Sequence, residues 1–312
     1  MFFGEIGRTQ TNSCLPVGVP PVETGTDLVE YAGRLCYQST DKMWKNPDFI
    51  AARVREGHTD IMEHNRAWMM VGVTPDQMVE IFRENDAGVA VTELRMYNQI
   101  LSCNLRTKIL TRSAVLSMLA EKMFSDNTKT KRFSIEPLDH TALLAITPLP
   151  NLPADISKLH ASATFLIHDI SRTASHQLVR HRKGSFSQES QRYVEGVKSR
   201  DEFMSKFVVP PAIAGDEKLR DIFQGQIENA VYAYEEMRLS GVRKEDARFI
   251  IPSAAKTKMV VTMQLRWWEH FVQQRAAKAA QWEIRNVASE VKQLLEKAFP
   301  MLEGKWKWES EY

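Results

Sequence analysis

The stretch Ala163–Tyr193, ATFLIHDISRTASHQLVRHRKGSFSQESQRY, carries the densest structural signal in the chain. Its opening, Ala163–Asp169, is apolar and of strand length, so a strand is expected there. Ser171 is suited by type and place to cap a helix, its hydroxyl meeting backbone N–H groups that have no partner within the first turn. That helix is predicted to run to about Lys183, with Gly184 as its stop. Ser185–Tyr193 is polar and reads as a loop.

Where the helix ends stand Arg180, His181, Arg182 and Lys183. Cations at a helix C-terminus complement its dipole, and that reading alone accounts for the tetrapeptide. A nucleic-acid patch is weaker, because aromatics are not interleaved and the formal net charge is only +2. The residues directly behind shift the balance. Ser185, Ser187, Gln188, Ser190, Gln191, Arg192 and Tyr193 place many hydrogen-bonding groups behind the cations, and Arg forks with Ser hydroxyls suit phosphate. A site for an anionic small molecule is the stronger reading, with a solvated loop as the plain alternative.

Outward from this stretch, strands and helices mix without regular alternation, which points to an α+β class. Helices are expected over Asp27–Cys36, capped by Thr26 or Asp27, and over Pro47–Glu56, stopped by Gly57. Ala67–Thr74 is a strand candidate, with Thr74 capping a helix through Phe82. Val89–Met96 is a weaker strand candidate, Asn98–Met123 reads as helical, and Ser125–Lys131 as a polar turn. Pro148–Pro153 cannot continue a helix. Gly215-Asp216 opens an amphipathic helix with Leu219, Ile222, Phe223, Ile227, Val231 and Tyr234 on one side, closed by Gly241. Thr262–Phe299 reads as one long helix stopped by Pro300. On it Arg266 and His270 share a face, Phe271 and Arg275 repeat the spacing, and Trp267, Trp268, Phe271 and Trp282 are expected to pack.

The 312 residues suffice for one large domain. No apolar run is long enough for a membrane helix, and the N-terminus lacks a secretory pattern. Cys14, Cys36 and Cys103 are odd in number and widely spaced, so neither a disulfide framework nor a zinc site is expected, and a reducing cytoplasm is the simple inference. No dinucleotide-binding glycine fingerprint, phosphate-binding P-loop, HExxH or GxSxG is present.

Arg180–Tyr193 resembles the signature of flavin-dependent thymidylate synthases, in which an RHR triplet is followed after seven residues by Ser, here Ser190. Ser171-Arg172 and His176–Val179 resemble the lead-in helix of that family. Further likenesses, in order, are Arg34–Tyr37, Gly57-His58 with Glu63-His64, Ser240–Val242, Ala247-Arg248 with Pro252, and Arg275 with Ala280–Ile284. Asp60-Ile61, Gln264 and Ala279 depart from the family pattern, and residues 73–160 have no counterpart in compact members. The resemblance implies a single domain over 1–312, a mixed sheet flanked by long helices, with 73–160 inserted.

By the same resemblance the chain methylates dUMP to dTMP, with methylenetetrahydrofolate as one-carbon donor and FAD, reduced by NADPH, as hydride source. Gln177, Arg180, Gln188, Ser190, Arg192 and Arg248 are then expected at dUMP. Arg275 is expected against the uracil ring, as the catalytic residue favouring its polarised form. His58, Arg180, His181, Arg182, Gln188, Gln264, Arg266 and His270 are expected on the FAD side. The implied assembly is a cytoplasmic homotetramer with shared sites, without metal, nucleic acid or membrane. The alternative is a flavin- or nucleotide-binding homologue with altered catalysis, which binds dUMP without oxidising NADPH.

Overall fold

The computed structural model describes residues 2–83, 95–97, 99–125, 130–191 and 204–308. The strands are β1 (Phe2–Arg8), β2 (Gln10–Asn12), β3 (Arg66–Gly72), β4 (Arg95–Tyr97), β5 (Ile100–Asn104), β6 (Arg132–Phe133), β7 (Thr141–Thr147), β8 (Ser162–Ser171), β9 (Ser185–Gln188) and β10 (Lys256–Gln264). The main helices are α1 (Gly25–Cys36), α2 (Phe49–Arg55), α3 (Pro75–Arg83), α4 (Leu105–Leu110), α5 (Ala114–Phe124), α6 (Ala154–His160), α7 (Arg172–Leu178), α8 (Glu217–Leu239), α9 (Leu265–Arg275) and α10 (Trp282–Ala298). The fold is α+β, as expected.

Strands β8 and β10 are neighbours inside a six-stranded sheet in the order β6-β2-β7-β8-β10-β9. They pair antiparallel from Lys256↔Ser171 to Gln264↔Ser162. The sheet is mixed because β2 and β6 run parallel. Period-two alternation sorts its residues. Phe165, Ile167, Met259, Val261 and Met263 pack with α7, α9 and α10 on one face. Leu166, Val260, Ala142 and Leu144 meet Leu28, Tyr31 and Leu35 of α1 on the other. A second sheet, β1-β3-β5-β4, packs Met69, Val71 and Leu101 on Leu116, Leu119 and Met123 of α5. Residues 73–160 supply α3 to α6 and strands of both sheets, β7 lying against β8.

Several elements differ from the sequence reading. Helix α1 is capped by Thr24, and Asp27 closes the capping box from within. Asn98–Met123 is not one helix: Ile100–Asn104 pairs with β3 and β4, and Asn104 caps α4 by accepting from Thr107 N–H. Thr111 then turns extended, and Ser113 caps α5. Of the Val89–Met96 candidate, residues 89–94 lie outside the described residues, and so do residues 126–129 of the expected polar turn. Helix α7 ends at Leu178 rather than near Lys183, and Ser185–Gln188 is strand β9 rather than loop. Gly184 stands just before that strand, where a Cβ would lie 2.8 Å from Met263 and Phe186. Helix α8 buries Ile227, Val231 and Tyr234, but Leu219 and Ile222 are exposed.

The expected long C-terminal helix divides into β10, α9 and α10. Val260-Val261-Thr262 is β-branched and takes the strand. Gln281 restarts the helix by accepting from Glu283 and Ile284 N–H groups. Trp268 is buried beneath α9, edge-on to Phe165 at 4.9 Å and to Phe271 at 5.6 Å, and donates its indole N–H to Ala163 O. Trp268→Ala is expected to cost about 3–5 kcal/mol in denaturant unfolding, against less than about 0.5 kcal/mol for exposed Met301→Ala.

Candidate functional site

Helix α7 is fixed from its first residue. Ser171 Oγ accepts from Ala174 N–H, and both Ser171 N–H and Oγ–H donate to the buried Glu283 carboxylate at 2.6 and 2.5 Å. The start of α10 thus holds the start of α7. Beyond Leu178 the chain turns through Arg180, His181 and Arg182 into β9. Strand β9 pairs with β10 from Ser185↔Thr262 to Gln188↔Met259. Its alternate hydroxyls point inward to the 3-10 turn Asp60–His64: Ser185 donates to Glu63 at 2.8 Å, and Ser187 lies 2.9 Å from His64 Nε2. His64 Nδ1 meets Thr262 at 2.8 Å. Burial, then the charge of Arg66, lowers the His64 pKa to about 3, so the ring is neutral.

Arg275, at the last residue of α9, donates its Nε–H to His181 Nε2 at 3.0 Å and reaches Gln177 O at 3.5 Å. Burial first, then Arg275 and His270, pulls the His181 pKa down to about 4. Its Nε2 is therefore an unprotonated acceptor at neutral pH. Phe271 packs edge-on to the His181 ring at 5.0 Å, and His270 lies at 6.0 Å. Arg180, Arg182 and His270 are exposed around this contact. Arg266, half-exposed, pairs with Glu269 at 3.0 Å.

A second group lies along β9. Gln188 donates to Ser175 Oγ and Thr257 Oγ1 at 2.9 and 3.2 Å. Ser190 N–H donates to Cys36 O. Arg172, not singled out individually from sequence, donates to Glu189 O at 2.6 Å, and its Nε is buried without a partner among the described residues. Its pKa is lowered by burial, and Arg248 adds to that effect through like charge, against Glu189. Arg248 itself donates to Glu245 O. Burial raises the Glu189 carboxyl, opposed by Lys258 and Arg172. A cavity of 1080 Å³ between the sheet and α8 adjoins this group through Glu189 and Thr257.

The structure therefore joins Arg275, His181 and Gln177, and separately lines up Gln188, Glu189 and Ser190, with Arg172 and Arg248 adjacent. His58 is exposed on the segment after α2. Gln264 is wholly buried at the root of α9, neither amide atom hydrogen-bonded among the described residues. Arg192 lies outside the described residues. The tie from Glu283 to Ser171 was missed by role; its signal was a carboxylate at the start of an otherwise apolar helix face. Among the described residues no cluster could hold a metal, and no helix is long and apolar enough to cross a membrane.

Residues 159–301 match the family described as thymidylate synthase complementing protein. The chain is 46% identical over 143 residues to the flavin-dependent thymidylate synthase of Geobacter sulfurreducens, covering 46% of this chain and 60% of that protein. It is 45% identical over 129 residues to the enzyme of that name from Pyrococcus furiosus, covering 41% and 52%. The chain thus spans little more than half the length of these curated relatives. A crystal structure of the Helicobacter pylori flavin-dependent enzyme, complexed with FAD and dUMP, aligns with 22% identity and a TM-score of 0.41 over 47% of this chain and 74% of that one. The expected likeness to flavin-dependent thymidylate synthases is borne out over residues 159–301.

Two titrations test this geometry. His181 followed by NMR is expected to titrate below pH 5 and to move upward in Arg275→Gln; a midpoint near 6.5 in the native protein would contradict the neutral acceptor. For His64, the unfolded chain takes up a proton below about pH 6.5 while the native state resists until about 3. Native stability therefore falls as pH drops through that window, by up to about 1.4 kcal/mol per unit from this group. His64→Gln is expected to give a shallower acid limb in unfolding measurements.

Proposed function

We propose that this chain is a flavin-dependent thymidylate synthase that converts dUMP to dTMP, with methylenetetrahydrofolate as one-carbon donor and NADPH as reductant. The contact of Arg275 with His181 carries the reading, because it unites the RHR turn with an arginine 94 residues away. The two curated relatives support it over the matched half of the chain.

The donor set suits FAD, an anionic dinucleotide. Arg180, His181 and Arg182, with His58, Arg266 and His270, offer cations and N–H donors, and Gln264 adds an amide with no partner among the described residues. When bound, FAD supplies the hydride that completes the methyl group. Arg180 and Gln188 adjoin both ligands in this reading, and Gln177 adjoins dUMP. Gln188 is already held by two hydroxyls, which fixes its carbonyl oxygen for a ligand. Ser190, Arg192 and Arg248 take the dUMP phosphate, where an anion would also relieve the repulsion between Arg248 and Arg172. Arg275 keeps N–H groups beyond those given to His181 and Gln177. Set against the uracil ring, they stabilise its polarised or N3-ionised form.

Thiol attack is poorly supported. Burial raises the Cys36 pKa and carries Cys103 to about 12, while Cys14 Sγ is engaged with Ser134. Electrostatic activation by Arg275 fits better. We read 1–312 as one domain with 73–160 as an insertion, working as a cytoplasmic homotetramer. Exposed Leu239 and Phe249, on α8 and the turn after it, favour contact with a second copy.

The test is dTMP formation from dUMP with FAD, NADPH and methylenetetrahydrofolate. Arg275→Ala is expected to lose on the order of 100-fold or more in turnover with folding retained. Unchanged turnover removes Arg275 from its role. Binding of dUMP without NADPH oxidation in the native protein would favour the altered-catalysis alternative.

A further inference from the structure

Arg266 is held by Glu269, and the groups that hold Glu269 come from outside the family-matched region. Glu269 is fully buried on α9, and its Oε2 accepts from Arg266 Nη1 at 3.0 Å. Its Oε1 accepts from Lys158 Nζ and from Lys307 N–H, both at 2.7 Å. Lys158, also fully buried, lies on α6 just before residue 159, where the family match begins. Lys305 and Lys307 come after its end at 301. Lys158 Nζ also donates to Lys305 O at 3.1 Å and sits 5.7 Å from the centre of the Trp306 ring. Trp306 stacks on Trp308 at 4.5 Å, and Trp308 donates to Glu296. Gln273 of α9 bonds to Lys307 O. Residues 303–308 thus lie as a strap across α6, α9 and α10.

A lone buried carboxylate would be costly, and the Lys158 ammonium with the strap N–H satisfies it on one oxygen. The other oxygen is left for Arg266. A charge-assisted bond from a rigid carboxylate restricts a long, half-exposed guanidinium to one side of α9, so less rotamer entropy is lost when an anion binds. We propose that Lys158, Glu269 and the 303–308 strap are positioning elements for Arg266 that raise affinity for the dinucleotide cofactor without touching it. This rests on the flavin-side reading of Arg266.

The experiment measures FAD and dUMP dissociation constants for the full chain. Lys158→Met/Glu269→Gln removes both buried charges together and avoids an unpaired one. The pair is expected to weaken FAD binding on the order of ten-fold, to leave dUMP binding within about two-fold, and to have no further effect on FAD in an Arg266→Ala background. Trp306→Ala, which loosens the strap and leaves the charges in place, is expected to act in the same direction, more weakly, and serves as the test if the pair does not fold. Equal loss of FAD and dUMP binding, or an equal FAD loss in the Arg266→Ala background, would overturn the positioning role. A native protein that binds dUMP but no FAD would instead overturn the flavin reading, and this role with it.

Discussion

The antiparallel pairing of β8 with β10 is the constraint on which the site depends. Each strand passes directly into a helix at its end, β8 into α7 at Ser171 and β10 into α9 at Gln264. Because Ser171 pairs opposite Lys256 and Gln264 opposite Ser162, those helices start at opposite ends of the same strand pair. Both pack on one face of the sheet. At 1.5 Å per residue α7 is about 10 Å long and α9 about 16 Å, while β8 spans roughly 30 Å. Two helices setting out from opposite ends over that span meet at their C-termini. The contact of Arg275 with His181 and Gln177 O is that meeting point.

Two helix C-termini brought together place two negative dipole ends side by side. Arg275, Arg180, Arg182 and Lys183 gather at that place, and part of their charge answers the dipoles, in keeping with the plain reading of the tetrapeptide. The structure shows why that reading is incomplete. One of the groups, His181, is kept neutral by its burial and by Arg275, so it adds no charge and instead orients the guanidinium. A purely dipole-compensating cluster has no use for an uncharged imidazole at its centre.

What could be read from the sequence was local chemistry. Ser171 and Thr74 as caps, the helix opening at Gly215-Asp216, and the strand before Ser171 depend on neighbours within a few residues, and they stand as expected. What could not be read was decided by distant partners. Strand β9 looks like a loop because Ser185 and Ser187 are polar; they are extended because Glu63 and His64, over 120 residues earlier, satisfy them inside the sheet. The Ala-rich stretch after Arg275 is composed of good helix formers, yet the helix breaks there. Gln281 caps a new helix whose Glu283 must face Ser171, and that tertiary bond prevails over local propensity. For the site, Arg180 to Ser190 were adjacent in sequence and visible as a motif. Arg172 beside Arg248 was not, since neither lies near the other in sequence and neither has unusual neighbours.

The two arginine groups sit at different electrostatic settings, and this bears on what each can bind. Arg275 faces a neutral acceptor, so its positive charge is not cancelled by any anion found at its side chain among the described residues. Arg172 and Arg248 repel across a region where the Glu189 carboxylate, which acts on Arg172, is itself raised by burial and shared with Lys258. Arg266, by contrast, is held against a buried carboxylate. A ligand with a full negative charge gains most at the Arg172–Arg248 pair, where it removes a repulsion already present. On the proposed reading, a ring that becomes electron-rich only as it reacts gains most at Arg275, whose guanidinium is oriented by His181 and meets no anion among the described residues. One molecule with a phosphate at one end and a polarisable ring at the other meets both conditions, and a nucleotide is such a molecule.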